Sequence, residues 1–112
     1  MPYQRAETYT TTGTKASLDL DPSIAPFNAS VSVALNGAAV ASYSLQYTFD
    51  DFSSPTMTDA AATWFTSSDI PLATAASANA AFITPVTRVR LVIASLSGGS
   101  MTMRTVQGMS TN

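Results

Sequence analysis

The stretch NASVSVALNGAAVASYSLQYTFDD, residues 28–51, decides the fold class. In it Val31, Val33 and Leu35 alternate with Ser30, Ser32 and Ala34. Tyr43, Leu45, Tyr47 and Phe49 then alternate with Ser42, Ser44, Gln46 and Thr48. A period of two sends successive side chains to opposite faces, so both runs read as strands with one apolar face. Between them stands Asn36-Gly37, a pair that accepts the positive φ angles of a tight hairpin turn. A two-residue turn there pairs Leu35 with Ala38 and Val33 with Val40, which are even-numbered positions. The aromatic set is odd-numbered, so the strand is expected to change face near Ala41–Ser42, by a bulge or by bending into a second sheet.

The end of the chain repeats the problem. In VTRVRLVIAS, residues 86–95, Val89, Leu91 and Ile93 alternate with Arg88 and Arg90. A tight turn at Gly98-Gly99 would set Arg104 opposite Ile93, on the apolar face. Shifting the register by one residue pairs Ile93 with Met103 and Ser95 with Met101, which requires a bulged Gly-Gly turn. That register gathers Arg88, Arg90 and Arg104 on the opposite face, beside Val92.

Weaker strands are expected at 5–12, 16–20, 62–66 and 80–84, punctuated by Asp21-Pro22, Ala25-Pro26, Ser54-Pro55, Ile70-Pro71 and Thr84-Pro85. No segment of helical length shows a 3.6-residue period with caps. The expectation is an all-β, single-domain β-sandwich or jelly roll of about eight short strands. Residues 15–112 form the domain, and residues 1–14 an extended arm that orders on a partner.

At 112 residues the chain has room for one core. It has no cysteine and no histidine. The first absence removes disulfides, thiolate nucleophiles and thiolate metal sites, and the second removes the commonest acid–base side chain near neutral pH. Only 11% of residues are charged, with a formal net charge of −2, against about 25% charged in ordinary domains. A surface so poor in charge suits burial against other copies or another protein, because interface centres are depleted of charge. The N-terminus lacks the apolar core of a signal peptide, and no run reaches membrane-spanning length. Synthesis in a cytoplasm, with release by lysis or retention inside, is the expectation from that reading.

Each candidate chemistry has a plainer alternative. Asp50 and Asp51 are adjacent, so on a strand they point to opposite faces; they read as a solvated turn, or with Asp59 as an oxygen-ligand calcium loop. Asp19 and Asp21 share a face at a strand end. Lys15 and Ser17 have the residue types of a base and a nucleophile, but nothing beside them supplies desolvation or an oxyanion hole. Trp64, Phe65, Tyr43 and Tyr47 read first as core and second as a platform for sugars. Asn28-Ala29-Ser30 matches a glycosylation acceptor, relevant only to a secreted protein. The arginines are too few to hold nucleic acid by phosphate neutralisation. They lie on a solvated face or against a partner protein, where arginine is the favoured charged residue. Neither a catalytic set nor a cofactor motif emerges, and the chain reads as no enzyme.

Four segments in order, YSLQYTFDD (43–51), TWF (63–65), AFITPVTRVRL (81–91) and GGSMTMRTVQG (98–108), resemble the small cement or decoration proteins of tailed-bacteriophage heads. The resemblance spans roughly residues 30–108. It implies a structural virion protein on the capsid exterior, a homo-oligomer (dimer or trimer) bridging subunits of the major capsid protein, with no membrane or nucleic-acid partner. Tyr3, Arg5, Tyr9, Arg88, Arg90, Val92 and Arg104 are the candidate contact residues. They are chosen by residue type and face, since the family carries no motif for them. The alternative is a carbohydrate-binding or fibre-type module using Trp64 and the nearby tyrosines.

Overall fold

The computed structural model describes residues 3–20, 28–53, 56–83 and 86–107. Seven strands form one antiparallel sheet: β1 (Tyr3–Tyr9), β2 (Gly13–Thr14), β3 (Leu18–Asp19), β4 (Ala29–Thr48), β5 (Phe65–Thr66), β6 (Ala78–Phe82) and β7 (Arg88–Gln107). No helix occurs among the described residues. The protein is an all-β sandwich, built around two strands of 20 residues each in place of a series of short ones.

β4 and β7 pair along their whole length, from Ala29 opposite Gln107 to Thr48 opposite Arg88. This overturns both expected hairpins. Neither Asn36-Gly37 nor Gly98-Gly99 turns the chain back; Gly37 sits opposite Gly99 within the same ribbon. Ile93 accordingly pairs with Tyr43, and Met103 with Val33, so the expected pairing of Ile93 with Met103 does not form. The physical reason is face matching. A hairpin at Asn36-Gly37 would set buried Val33 against Val40, which is 69% exposed. The long ribbon instead matches inward residues at both ends, Val33 with Met103 and Leu45 with Leu91.

The glycines still serve a bend. Gly37 has φ +67 and Gly98 φ +78, values that cost a side-chain-bearing residue energy. Register shifts fall between Gly37 and Val40 and between Ser42 and Tyr43. At the second shift the extra residue is Ala94 on β7, so β4 keeps its odd-numbered residues inward and needs no change of face. The expected irregularity near Ala41–Ser42 is present, but its partner strand carries it. Between the two bulges Ala41 pairs with Leu96, and both turn to the core.

These bulges divide the ribbon into two halves. In the first, residues 29–37 and 99–107 are flanked by β1 and β6. In the second, residues 43–48 and 88–93 are flanked by β2 and β3 on one side and β5 on the other. The inward faces close on each other. Val31, Val33, Met101 and Met103 of the first half share one core with Tyr43, Leu45, Val89, Leu91 and Ile93 of the second. Tyr47 and Phe82 meet across the layers at 5.2 Å between ring centroids. The shortest molecular dimension, 21 Å, suits two layers packed about 10 Å apart. Fully burying a Leu or Ile side chain stabilises by about 1.5–3 kcal/mol, so this shared core holds the bent ribbon closed.

Residues 3–9 and 13–14, which the sequence places in an arm, are strands of this sheet. All of β1 pairs in register with β7, from Tyr3 opposite Gln107 to Tyr9 opposite Met101. Irregular residues 67–74 cover the β4 edge beyond β5, through Ser67 N–H to the Leu45 carbonyl and a bridge between Tyr43 and Thr74.

Candidate protein-interaction site

Alternation aims Arg88 and Arg90 out of the second half, and the loop after β4 folds back over them. Arg88 stacks on the Phe52 ring at 3.8 Å, and Arg90 on the Trp64 ring at 4.1 Å. Asp19, opposite Arg88 in the β3–β7 register, places Oδ1 at 2.5 Å from Arg88 Nε. That contact is ionic, because the N–H is not aligned for a hydrogen bond. Arg88 Nη1 also donates to Asp59 Oδ1 at 3.1 Å. Arg90 Nε donates to Gln46 Oε1 at 2.8 Å, across the β4–β7 pair.

Asp59 is the centre of this clasp. Its carboxylate accepts from Ser17 N at 3.1 Å and Ser17 Oγ at 2.8 Å as well as from Arg88. Its backbone carbonyl accepts the Trp64 indole N–H at 2.8 Å. Burial pushes the Asp59 carboxyl upward, but the Ser17 and Arg88 bonds and the Arg88 charge outweigh it and hold it below the ordinary range. Burial lowers the Arg90 guanidinium, with the Asp59 charge opposing. Asp50 anchors the loop's other end, accepting Thr63 N–H at 2.6 Å and the Thr48 hydroxyl at 3.1 Å. Asp59, Phe52, Trp64 and Gln46 as partners of the arginines escape sequence reading. They lie 29 to 44 residues away where a bond is made, and only the excess of aromatics in 49–65 hints at cover.

The seven candidate contact residues do not form one patch. Arg88 and Arg90 lie beneath the chain's own loop, and Val92, half-buried, follows them on the same face. Arg104 belongs to the first half, exposed and opposite Ser32 and Ala6. It does not join the other two, because the hairpin that would bring it there is absent. Arg5 reaches Asp19 at 4.0 Å. Tyr9 packs against the core with Lys15 5.9 Å from its ring centre, and burial, then the Glu7 charge, push its hydroxyl up to about 12. The Tyr3 side chain lies outside the described residues.

The remaining candidates resolve locally. Lys15 Nζ donates to Thr11 Oγ1 at 2.6 Å and to the Thr12 carbonyl at 3.0 Å, while the Ser17 hydroxyl serves Asp59, so the two are not a nucleophile–base pair. No group of three or more acidic side chains converges for a metal ion among the described residues. Asp21 lies outside them. Tyr43 is core, and its hydroxyl donates to the Ala76 carbonyl. Tyr47 is the centre of an aromatic group with Phe49, Phe65 and Phe82. One face of Trp64 is occupied by Arg90, which leaves that face closed to a sugar.

The outer face of the first half is open. Ser30, Ser32 and Ala34 of β4, Arg104 and Val106 of β7, Ala6 and Thr8 of β1, and Asn79 and Ala81 of β6 are exposed there. Arg104 is its one charge among the described residues. No protein-family model matches the chain, and no curated protein matches it. Among solved structures it is similar to one described as "Bacillus endospore appendages form a novel family of disulfide-linked pili", at 16% identity and a TM-score of 0.46. That match covers 98% of this chain and 88% of that one.

Proposed function

We propose that this chain is a structural assembly protein of the capsid-decoration kind, acting by non-covalent contact of its outer sheet face with neighbouring subunits. The observation that carries this reading is the open face of the first half. Four strands present short, mostly uncharged side chains around a lone exposed arginine, a surface cheap to desolvate. The other outer face is occupied by the chain's own loop, whose ion pairs are satisfied internally. A charge-poor sheet face of this kind gains strength by repetition, since many weak contacts on a symmetric shell add by avidity. The major capsid protein of a tailed-phage head is the partner the sequence resemblance names. Cosedimentation with empty heads tests this: the chain should pellet at a fixed ratio, and Ala34→Lys with Thr102→Lys should release it while far-UV circular dichroism stays native. Failure to bind heads, together with indifference of any self-assembly to those lysines, would overturn it.

A further inference from the structure

The described cations other than Arg104 are engaged. Arg88 is held by Asp19, Asp59 and Phe52, Arg90 by Gln46 and Trp64, Lys15 by Thr11 and Thr12, and Arg5 lies near Asp19. Arg104 is exposed on the first half's outer face, where no carboxylate stands among the exposed residues. The second half has the complement. An open cleft of about 360 Å³ is lined by Asp19, Asp51, Phe52 and Ser53, with Arg88 in its wall. Arg88 is already neutralised by Asp19 and Asp59. Asp51 is exposed at this cleft, and its carboxylate accepts Ser53 N–H at 2.9 Å. Hydrogen bonding from the Ser53 side chain, then from its backbone N–H, holds this carboxyl below the ordinary range.

We propose that copies of this chain associate head to tail, with Arg104 of one copy entering the Asp51 cleft of the next. This rests on the assembly reading above and names a second copy as the partner. Arg104 lies on the outer face of the first half and the Asp51 cleft beside Arg88 of the second, so each molecule carries both parts of the contact. A two-fold contact centred on the open face would set Arg104 against Arg104, whereas a heterologous contact sets it against a carboxylate. Arginine's planar fork suits a carboxylate flanked by hydrogen-bond partners. Repeated heterologous contacts close into a ring or continue as a filament, according to the rotation at each step. One solvent-facing ion pair is weak by itself. The sheet face around Arg104 supplies the rest of the contact, and the ion pair fixes orientation and excludes the face-to-face dimer.

Sedimentation velocity on the full chain, across a concentration series at low and high salt, tests the pairing. Wild type should gain mass with concentration and lose it with salt. Arg104→Asp alone and Asp51→Arg alone should each weaken association about tenfold or more, because each creates a like-charge contact. An equimolar mixture of the two, and the double variant, should regain mass, since both restore an opposite-charge contact. Circular dichroism and melting confirm that these exposed substitutions leave the fold intact. A wild type that stays monomeric, single variants that assemble normally, or a mixture and double variant that fail to recover would each overturn the head-to-tail contact. Cosedimentation with heads is scored separately: a monomer that still pellets with heads leaves the decoration reading standing without this contact.

Discussion

Replacing Asp59 with alanine removes three hydrogen bonds to one carboxylate, two from Ser17 and one from Arg88. Each such bond is worth a net of roughly 0.5–1.5 kcal/mol, more when a charge takes part. The Asp59 side chain is 32% exposed, so water replaces part of what is lost. The expected cost is about 2–3 kcal/mol. For a chain of this size that lowers the melting temperature by roughly 8–12 °C. Asp59→Asn keeps an acceptor for Ser17 and loses the charge facing Arg88, so about half that cost is expected. The assay is thermal and urea unfolding by circular dichroism, with the emission of the single tryptophan as a local probe. Trp64 bonds to the Asp59 carbonyl, so a loosened loop should shift its emission to the red before the sheet melts. A double-mutant cycle with Ser17→Ala should show non-additivity, because both changes remove the bond from the Ser17 hydroxyl to Asp59. An Asp59→Ala protein melting within about 2 °C of wild type, with unchanged emission, would refute the view that this carboxylate pins the loop to the sheet.

Other outcomes follow from the same geometry. A Cβ on Gly99 would collide with the Asn36 carbonyl oxygen and lie 2.9 Å from the Ala39 nitrogen, so Gly99→Ala should destabilise by more than about 2 kcal/mol. At Gly37 a Cβ meets nothing within 4 Å, so alanine there should cost only about 1 kcal/mol for its positive φ; equal losses in urea melts would contradict the close crossing. Arg90→Ala should uncover Trp64, raising acrylamide quenching for a stability loss of roughly 0.5–2 kcal/mol. Unchanged quenching would mean that the guanidinium does not shield the ring. Acid should act through Asp59. Its folded pKa lies below the ordinary value of 3.8, so its stabilisation is complete above that value and fades as pH falls through the folded one. Alkali acts oppositely through Tyr9, raised from 10.0 to about 12. Its contribution is complete below 10 and lost as pH climbs toward 12, and Tyr9→Phe should flatten that limb of a stability-versus-pH curve.

The division between sequence and tertiary structure is clearest at two dipeptides and two arginines. Alternation in 29–35, 43–47 and 89–93 determined by itself that the chain is all-β, and which apolar side chains enter the core or pack against it, whereas Phe49, past the end of β4, is exposed. A period of two is a local property, and burial must follow it. Gly37 was legible as a position of positive φ, because only the backbone conformation at that residue is at stake, whereas Asn36 beside it does not adopt one. What the two dipeptides turn was not legible. A hairpin and a bend shared by two long strands require the same local angles, and the choice depends on whether Val33 faces Val40 or Met103, residues far apart in sequence. The arginines follow the same logic. Alternation sent Arg88 and Arg90 outward from the core, as read. Whether outward meant solvent, a partner or the chain's own loop was settled by Asp59, Phe52 and Trp64, which reach them only after the ribbon has bent and the loop has closed. Local periodicity determines the side on which a residue lies, and what covers that side is decided by long-range packing.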